Sequence, residues 1–355
     1  MKKMLKILLT LILVSVIVVL AYVGYVFFSY QRLPDHMALK VTNNSETALT
    51  KNTDYRLMSY NIGYAAYPAD YSFFMDGGKY SRAYDQETVE KNMTGILETT
   101  KELDPDFALF QEVDQKGNRS MKVDEVTGLT TGLPTYSHVY AQNYDSAYLF
   151  YPLTQPIGKA KSGLVTLSKA TISESTRYKL PIDTDFNKFF DLDRGFSASL
   201  IPVKDSRKLT LINTHMSAFT KNREVRQAQL AKLFDFMKQE YENGRYVIVG
   251  GDFNHDMLGN SPEVFGTQTE PFNWTHPFPT SDLPAHFRVA NEGLAEAKIP
   301  SVRRNNEAYQ KGQSFVSIVD GFLVSDNVKV EKVAVHETDF VNSDHQPIVL
   351  TFKLG

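Results

Sequence analysis

The sequence predicts an α/β domain, a mixed-sheet core flanked by helices, carried behind one membrane-spanning helix. Three observations lead there. Short apolar or alternating runs recur from residue 55 to the end, with two long helix-patterned segments between them. No shift in composition divides 52–355, so this stretch reads as a single domain. Residues 1–30 differ from everything after them: Lys2, Lys3 and Lys6 precede an uncharged run from Ile7 to Phe28.

That run is long enough to cross a bilayer as a helix, which takes about 20 residues. The apolar region of a cleaved signal is shorter, about 7–15 residues, and leads to a small-residue cleavage site. Here Tyr22, Tyr25, Phe27, Phe28 and Tyr30 continue the run as an interfacial aromatic belt. Residues 1–30 are therefore expected to be a retained signal-anchor. The lysines before it place the N-terminus in the cytoplasm, which makes a single-pass protein of the cell membrane with an extracytoplasmic domain. Residues 31–51, polar and containing Pro34, Asn43, Asn44 and Ser45, read as a linker. The absence of cysteine excludes disulfides, thiolate metal sites and a cysteine nucleophile. Setting aside the three anchor lysines takes the 38 basic residues to 35 against 41 acidic ones, a balance of −6. That balance argues against tracking duplex nucleic acid through a basic surface.

Within 52–355, Tyr55–Tyr60 alternates like a strand and runs into a turn at Asn61-Ile62-Gly63. Glu87–Leu103 has helical spacing at Val89, Met93, Ile96, Leu97 and Leu103, and Pro105 ends it. Phe107–Val113, Gly163–Leu167, Phe196–Val203 and Leu209–Thr214 read as strands. Asn222–Tyr241 is an amphipathic helix carrying Val225, Leu230, Leu233, Phe234 and Met237. Tyr246–Val249 is an apolar strand entering Gly250-Gly251-Asp252. Phe315–Val324 and Val328–Val335 suggest a strand pair, and Ile348–Phe352 a last strand. The tyrosine-rich stretch 64–84 reads as a long loop, and 259–300 as loops near the site.

Polar residues stand where the apolar strands stop. Asn61 follows one strand, Glu112 ends another, His215 a third, and Asp252 and Asn254 follow a fourth. Asp320 interrupts an apolar strand and Asp344-His345 precedes the last. Singly these are a turn asparagine, a surface acid, a core histidine or a cap. Asp320, between Val319 and Phe322, resists that reading because a buried acid needs a partner. Recurrence at strand ends, expected to converge on one edge of a sheet, points to a site. Carboxylates suit hard cations such as Mg²⁺ or Mn²⁺, while the lack of cysteine and of a close His-x-x-x-His pair disfavours zinc. Histidines and an aspartate beside such an ion suit water activation and charge neutralisation at a phosphoryl centre.

These residues resemble the signature blocks of the endonuclease/exonuclease/phosphatase superfamily. The blocks come in order: Ser59-Tyr60-Asn61, Phe110-Gln111-Glu112-Val113, Asn213-Thr214-His215, Gly250-Gly251-Asp252-Phe253-Asn254, Val319-Asp320-Gly321-Phe322 and Ser343-Asp344-His345-Gln346-Pro347. The stretch Gly163–Ser168 is similar to the family's internal strand. The resemblance implies a four-layer α/β sandwich with two mixed β-sheets packed face to face. It also implies Glu112 as principal metal ligand, supported by Asn61, with Asp344 near the metal. Asp252 would orient or deprotonate the attacking water, Asn254 would hold the phosphate, and His345, oriented by Asp320, would stabilise the developing charge. His215 matches a second histidine of the deoxyribonuclease I and sphingomyelinase branches, where it has a carboxylate partner. Arg194 precedes a strand where members often carry a basic residue.

The expectation is thus a Mg²⁺- or Mn²⁺-dependent phosphoesterase at the outer face of the membrane, held by the N-terminal helix. A small-molecule or lipid-linked phosphoester is the favoured substrate. The alternatives are a nuclease on extracellular DNA or RNA and, less favoured because the whole polar set is present, a catalytically silent binding module.

Overall fold

The computed structural model describes residues 1–189, 191–218, 223–266 and 275–355. Two sheets are stacked at its centre. The six-stranded sheet runs, edge to edge, Val328–Val335, Ile348–Leu354, Tyr55–Asn61, Phe107–Asp114, Lys161–Ser168 and Ser137–Asp145. The seven-stranded sheet runs Met37–Ala38, Glu174–Lys179, Gly195–Pro202, Lys208–His215, Tyr246–Asp252, Asp320–Ser325 and Phe287–Ala290.

Each sheet has one parallel pair: Tyr55–Asn61 beside Phe107–Asp114, and Lys208–His215 beside Tyr246–Asp252. A parallel pair needs a long crossover, and the two long helices, Gln86–Leu103 and Arg223–Glu242, are those crossovers. The first is capped by Asp85, whose carboxylate accepts from the Thr88 backbone N–H at 2.8 Å, and ends at Asp104 in the left-handed region. The second is described from Arg223; Asn222, its expected first residue, lies outside the described residues.

Alternation along the strands sorts the core into layers. Leu57, Phe107 and Leu109 point between the sheets, meeting Leu211, Ile248 and Phe322 from the facing sheet. Met58, Tyr60, Ala108 and Phe110 point the other way, under Val89, Met93 and Ile96 of the first crossover helix. The second helix packs Leu230, Leu233, Phe234 and Met237 on the other sheet. The result is the four-layer α/β sandwich, helix–sheet–sheet–helix.

Several expectations change. Phe315–Val324 and Val328–Val335 do not pair: Asp320–Ser325 lies in the seven-stranded sheet and Val328–Val335 in the other. Each finds a better partner, Tyr246–Asp252 and Ile348–Leu354 respectively, because only those pairings bury its apolar face between the layers. Two further strands, Ser137–Asp145 and Glu174–Lys179, carry polar residues on a half-solvated face near sheet edges, which hid them. The helix Glu125–Gly132, poor in apolar residues, was hidden for the same reason. Residues 31–51 are laid along the domain. Met37–Ala38 pairs with Thr176–Arg177, Thr42 bridges to His138 of the other sheet, and Leu49 is buried in the core.

The helix Lys2–Ser29, with a mean hydropathy of 2.9 over its most apolar window, is long and apolar enough to cross a membrane.

Candidate active site

The expected residues meet where the ends of both sheets come together, not at the edge of one. Asn61 and Glu112 come from the parallel pair of the six-stranded sheet, in which Asn61 lies opposite Gln111. In the facing sheet His215, Asp252 and Asp320 form one row: His215 is opposite Asp252, and Asp252 opposite Asp320. The loop carrying Asp344 and His345 closes onto this row. Sheet stacking, a property of the core, sets which strand ends face each other. Gln111 and Asn213 bolt those ends together: the Gln111 amide donates to Asn213 Oδ1 at 2.8 Å, and Asn213 Nδ2 donates to the Val165 carbonyl at 3.1 Å.

Glu112 owes its direction to a β-bulge. Phe110 pairs with Val165 and Val113 with Gly163, so two residues oppose one, and Glu112 adopts φ 55°. Its side chain thereby turns out of the ladder into the cavity. Burial pushes its carboxyl up to about 7, and the nearby Asp344 carboxylate adds to the effect.

The Asp252 carboxylate is the point of convergence. Its Oδ2 accepts from Asn61 Nδ2 at 3.0 Å and lies 3.5 Å from His215 Nε2 and 3.9 Å from His345 Nε2. Its Oδ1 accepts from the backbone N–H of Asn254 at 2.9 Å. Burial raises its pKa above the usual carboxylate range, against the pull of His345. Asn254 sits at φ 48°, with its amide donating to the Met216 carbonyl at 2.9 Å.

The two histidines diverge. Burial would depress His345, but Asp320 accepts a 2.8 Å hydrogen bond from His345 Nδ1, and that carboxylate raises the imidazole to about 10. His345 is therefore a cation at neutral pH. His215 is held well below the usual range by burial and by the positive charges of Arg194 and His345, so it is neutral. Among the described residues its Nδ1 has no partner, and the carboxylates it faces are those at Nε2: Asp252, and Glu112 Oε1 at 3.7 Å.

These groups form the floor of a cavity of about 540 Å³. Its walls are largely apolar and aromatic, with Tyr64, Tyr67, Phe73 and Phe74 on one side and Leu149, Tyr151 and Ile157 on another. The stretch 64–84 is thus both packed and functional in placement: Tyr67 and Tyr71 are buried while Phe73 and Phe74 face the cavity. The described part of 259–300 contributes nothing to this lining; it holds two short α-helices, a 3-10 turn at Thr280–Asp282 and the edge strand Phe287–Ala290 instead.

Three buried arginines line the same cavity. Arg194 donates to the Met216 carbonyl at 2.9 Å and to Asp191 at 3.2 Å. Arg303 donates from its side chain to the Pro68 and Tyr71 carbonyls and from its backbone N–H to the Asp344 carbonyl at 3.0 Å, tying the aromatic loop to the loop that carries Asp344. Arg119 grips Asp114 with two nitrogens and lies 3.2 Å over the Tyr64 ring. Sequence reasoning missed Arg119 and Arg303, because only the folded chain shows that they reach the cavity.

Asp252, Asp320 and His345 offer ligand atoms within 4.8 Å of one another. Because His345 Nδ1 is already committed to Asp320, this trio is better described as a charge-relay pair beside a carboxylate. A divalent ion fits better at Glu112 and Asp344, two cavity-lining carboxylates; burial first and then the Asp344 charge raise the Glu112 carboxyl, and a cation between the two would relieve both effects. Asn61 Oδ1, which accepts one bond from the Gly63 N–H at 3.0 Å, retains a second lone pair for the same purpose.

A family model described as Endonuclease/Exonuclease/phosphatase family matches residues 58–345. Among solved structures, the endonuclease/exonuclease/phosphatase from Beutenbergia cavernae DSM 12333 superposes with a TM-score of 0.56 at 16% identity, over 85% of this chain and 72% of that one. The human Nocturnin catalytic domain with bound sulfate anion gives a TM-score of 0.54 at 18% identity, over 89% and 98%. ANGEL2, a 2′,3′-cyclic phosphatase, gives 0.54 at 14% identity, over 92% and 99%. No curated protein matches at a significant level.

Proposed function

We infer that this chain, which belongs to the endonuclease/exonuclease/phosphatase family, is a divalent-metal-dependent phosphoesterase acting at the outer face of the membrane. Residues 52–355 are the catalytic domain and 1–30 a retained anchor. The observation that carries the reading is the meeting of Asn61, a neutral His215 and a cationic His345 on one oxygen of Asp252. Asp252, with its raised pKa, is suited to take a proton from water as that water attacks phosphorus. Asn61 holds the carboxylate in place. His345, kept charged by Asp320, faces the negative charge that gathers on the phosphoryl oxygens. Asn254 and His215 position the phosphate, and Arg194 and Arg119 add fixed positive charge at the wall. Glu112, with Asn61 and Asp344, would hold a Mg²⁺ or Mn²⁺, which would supply Lewis-acid neutralisation of the phosphoryl charge. As the water oxygen bonds to phosphorus the ester P–O bond breaks, and the departing oxygen takes up a proton from solvent, matching the one that Asp252 drew from the attacking water.

The acidic balance of the exported part and the aromatic cavity walls favour a small or lipid-linked phosphoester over DNA or RNA. The test uses the full chain in detergent with a soluble aryl phosphodiester. Hydrolysis should vanish on chelation, return with Mg²⁺ or Mn²⁺, and be absent in Glu112→Ala. Full activity after exhaustive chelation defeats the metal reading. Plasmid DNA, phospholipid vesicles and small phosphomonoesters are then compared near physiological salt; if DNA is cleaved with much the highest efficiency, the nuclease reading replaces this one.

A further inference from the structure

We propose that one rim of the active-site cavity is seated in the outer leaflet, so that the cavity takes its phosphoester from an amphiphile resident in the bilayer. The proposal rests on the phosphoesterase reading and on the helix Lys2–Ser29 crossing the membrane.

The helix is clamped to that rim. Tyr22 donates its hydroxyl to the Tyr148 carbonyl at 3.1 Å, and the Tyr148 N–H donates to the Tyr25 hydroxyl at 3.1 Å. The Tyr22 ring meets Phe150 edge-on at 5.3 Å, and Phe27 packs on Phe189 at 4.5 Å. Tyr30 donates to Asp193 at 3.0 Å.

Helical rise then sets the depth of these contacts. Tyr22 lies sixteen residues beyond Lys6, the last charge before the apolar run, which is about 24 Å along the axis against a hydrocarbon thickness of about 30 Å. Whatever touches Tyr22 therefore sits at the outer boundary of the hydrocarbon or slightly below it. Apolar side chains there stay half or more exposed: Phe150 is 51% exposed, Leu153 84% and Phe186 52%. In water such a cluster is a liability; at the headgroup boundary it is a second anchor. Lys188 stands beside it, its ammonium 5.1 Å from the Phe189 ring, where a basic side chain meets lipid phosphate.

The same loop is a wall of the cavity. Leu149 and Tyr151 line it, and the Tyr151 ring reaches Phe74 on the opposite wall at 5.7 Å. An apolar tail in the leaflet thus has a continuous apolar surface leading toward the polar floor.

The chain contains no cysteine, which permits single-site labelling. The full chain carrying Leu153→Cys with an environment-sensitive fluorophore is placed in phosphatidylcholine nanodiscs that contain nitroxide-labelled acyl chains. The control is Lys101→Cys, exposed near the end of the helix that leads back to the strand starts, at the opposite end of the sheets from the site. The label at 153 should lose more than half of its emission, and the label at 101 almost none. Phe186→Cys gives a second reading if Leu153→Cys fails to fold. Emission at 153 that is as unquenched as at 101 overturns the proposal. So does a label shielded from aqueous iodide but untouched by the lipid nitroxide, which would mean that a protein partner covers the rim. Neither readout involves hydrolysis, so the membrane seat and the phosphoesterase reading fail separately.

Discussion

The two histidines of the site differ in charge, His345 cationic and His215 neutral, because burial is outweighed by a carboxylate at one and not at the other. His345 has Asp320 on Nδ1; His215 has no partner there among the described residues and arginine charge nearby. One charge-stabilising or proton-transfer group is worth about 10²–10⁴-fold in rate. His345→Ala and Asp320→Asn should each lose activity within that range. Because Asp320 acts through His345, the double variant should be little slower than His345→Ala alone; losses that add in log rate would separate the two residues. Glu112 makes a different prediction. Its carboxyl is raised to about 7 by burial and by Asp344, and a metal ligand must be deprotonated. With Glu112 the proposed ligand, metal affinity is expected above that pH and is lost as pH falls through it. Titration calorimetry of the full chain should show Mn²⁺ binding about tenfold tighter at pH 8 than at pH 6. Glu112→Gln should flatten that dependence; an unchanged slope would remove Glu112 from the ligand set.

Two strand features create the site, and each carries a conformational cost. The bulge that aims Glu112 holds a side chain at φ 55°, where a residue with a Cβ is disfavoured by about 1–2 kcal/mol and glycine is not. Glu112→Gly should therefore abolish metal binding yet raise stability in metal-free buffer by about 1 kcal/mol, measured by urea unfolding. A less stable Glu112→Gly would show that the bulge does not depend on that strain. The opposite holds at Gly251, φ 152°, in the strand that delivers Asp252. A Cβ there would lie 2.0 Å from the Thr214 carbonyl oxygen, a backbone atom of the neighbouring strand that cannot swing aside. Gly251→Ala should cost about 3 kcal/mol or more and displace Asp252 from His215, so activity and melting temperature fall together.

At the scale of the whole molecule, the N-terminal helix and the domain form one object. Residues 31–51 bridge both sheets, so the site has a set orientation to the helix, where a free tether would leave it roaming. With three lysines before the apolar run, the domain is proposed to face outward. Protease added to intact cells should degrade it; full protection, with the domain recovered from the cytoplasm, would reverse the topology.

The elements and the polar residues that end them were legible because both are local signals. Period-two and period-3.6 patterning marked the central strands and crossover helices, and Asn61, Glu112, His215, Asp252, Asp320 and His345 stood out as polar breaks in those patterns. The apolar run of the N-terminal helix was equally local. What the tertiary structure decided depends on groups distant in sequence. Stacking of two sheets brought the strand ends of both into one site, where one-dimensional order suggested a single edge. The charge on His345 depends on Asp320, 25 residues away, and the neutrality of His215 on burial that no pattern encodes. Arg119 and the loop around Leu149–Ile157 became cavity walls through long-range packing, since nothing local tells a cavity wall from any other basic residue or apolar loop. Consecutive strands such as Asp320–Ser325 and Val328–Val335 went to different sheets for the same reason: the partner that buries each apolar face lies elsewhere in the chain.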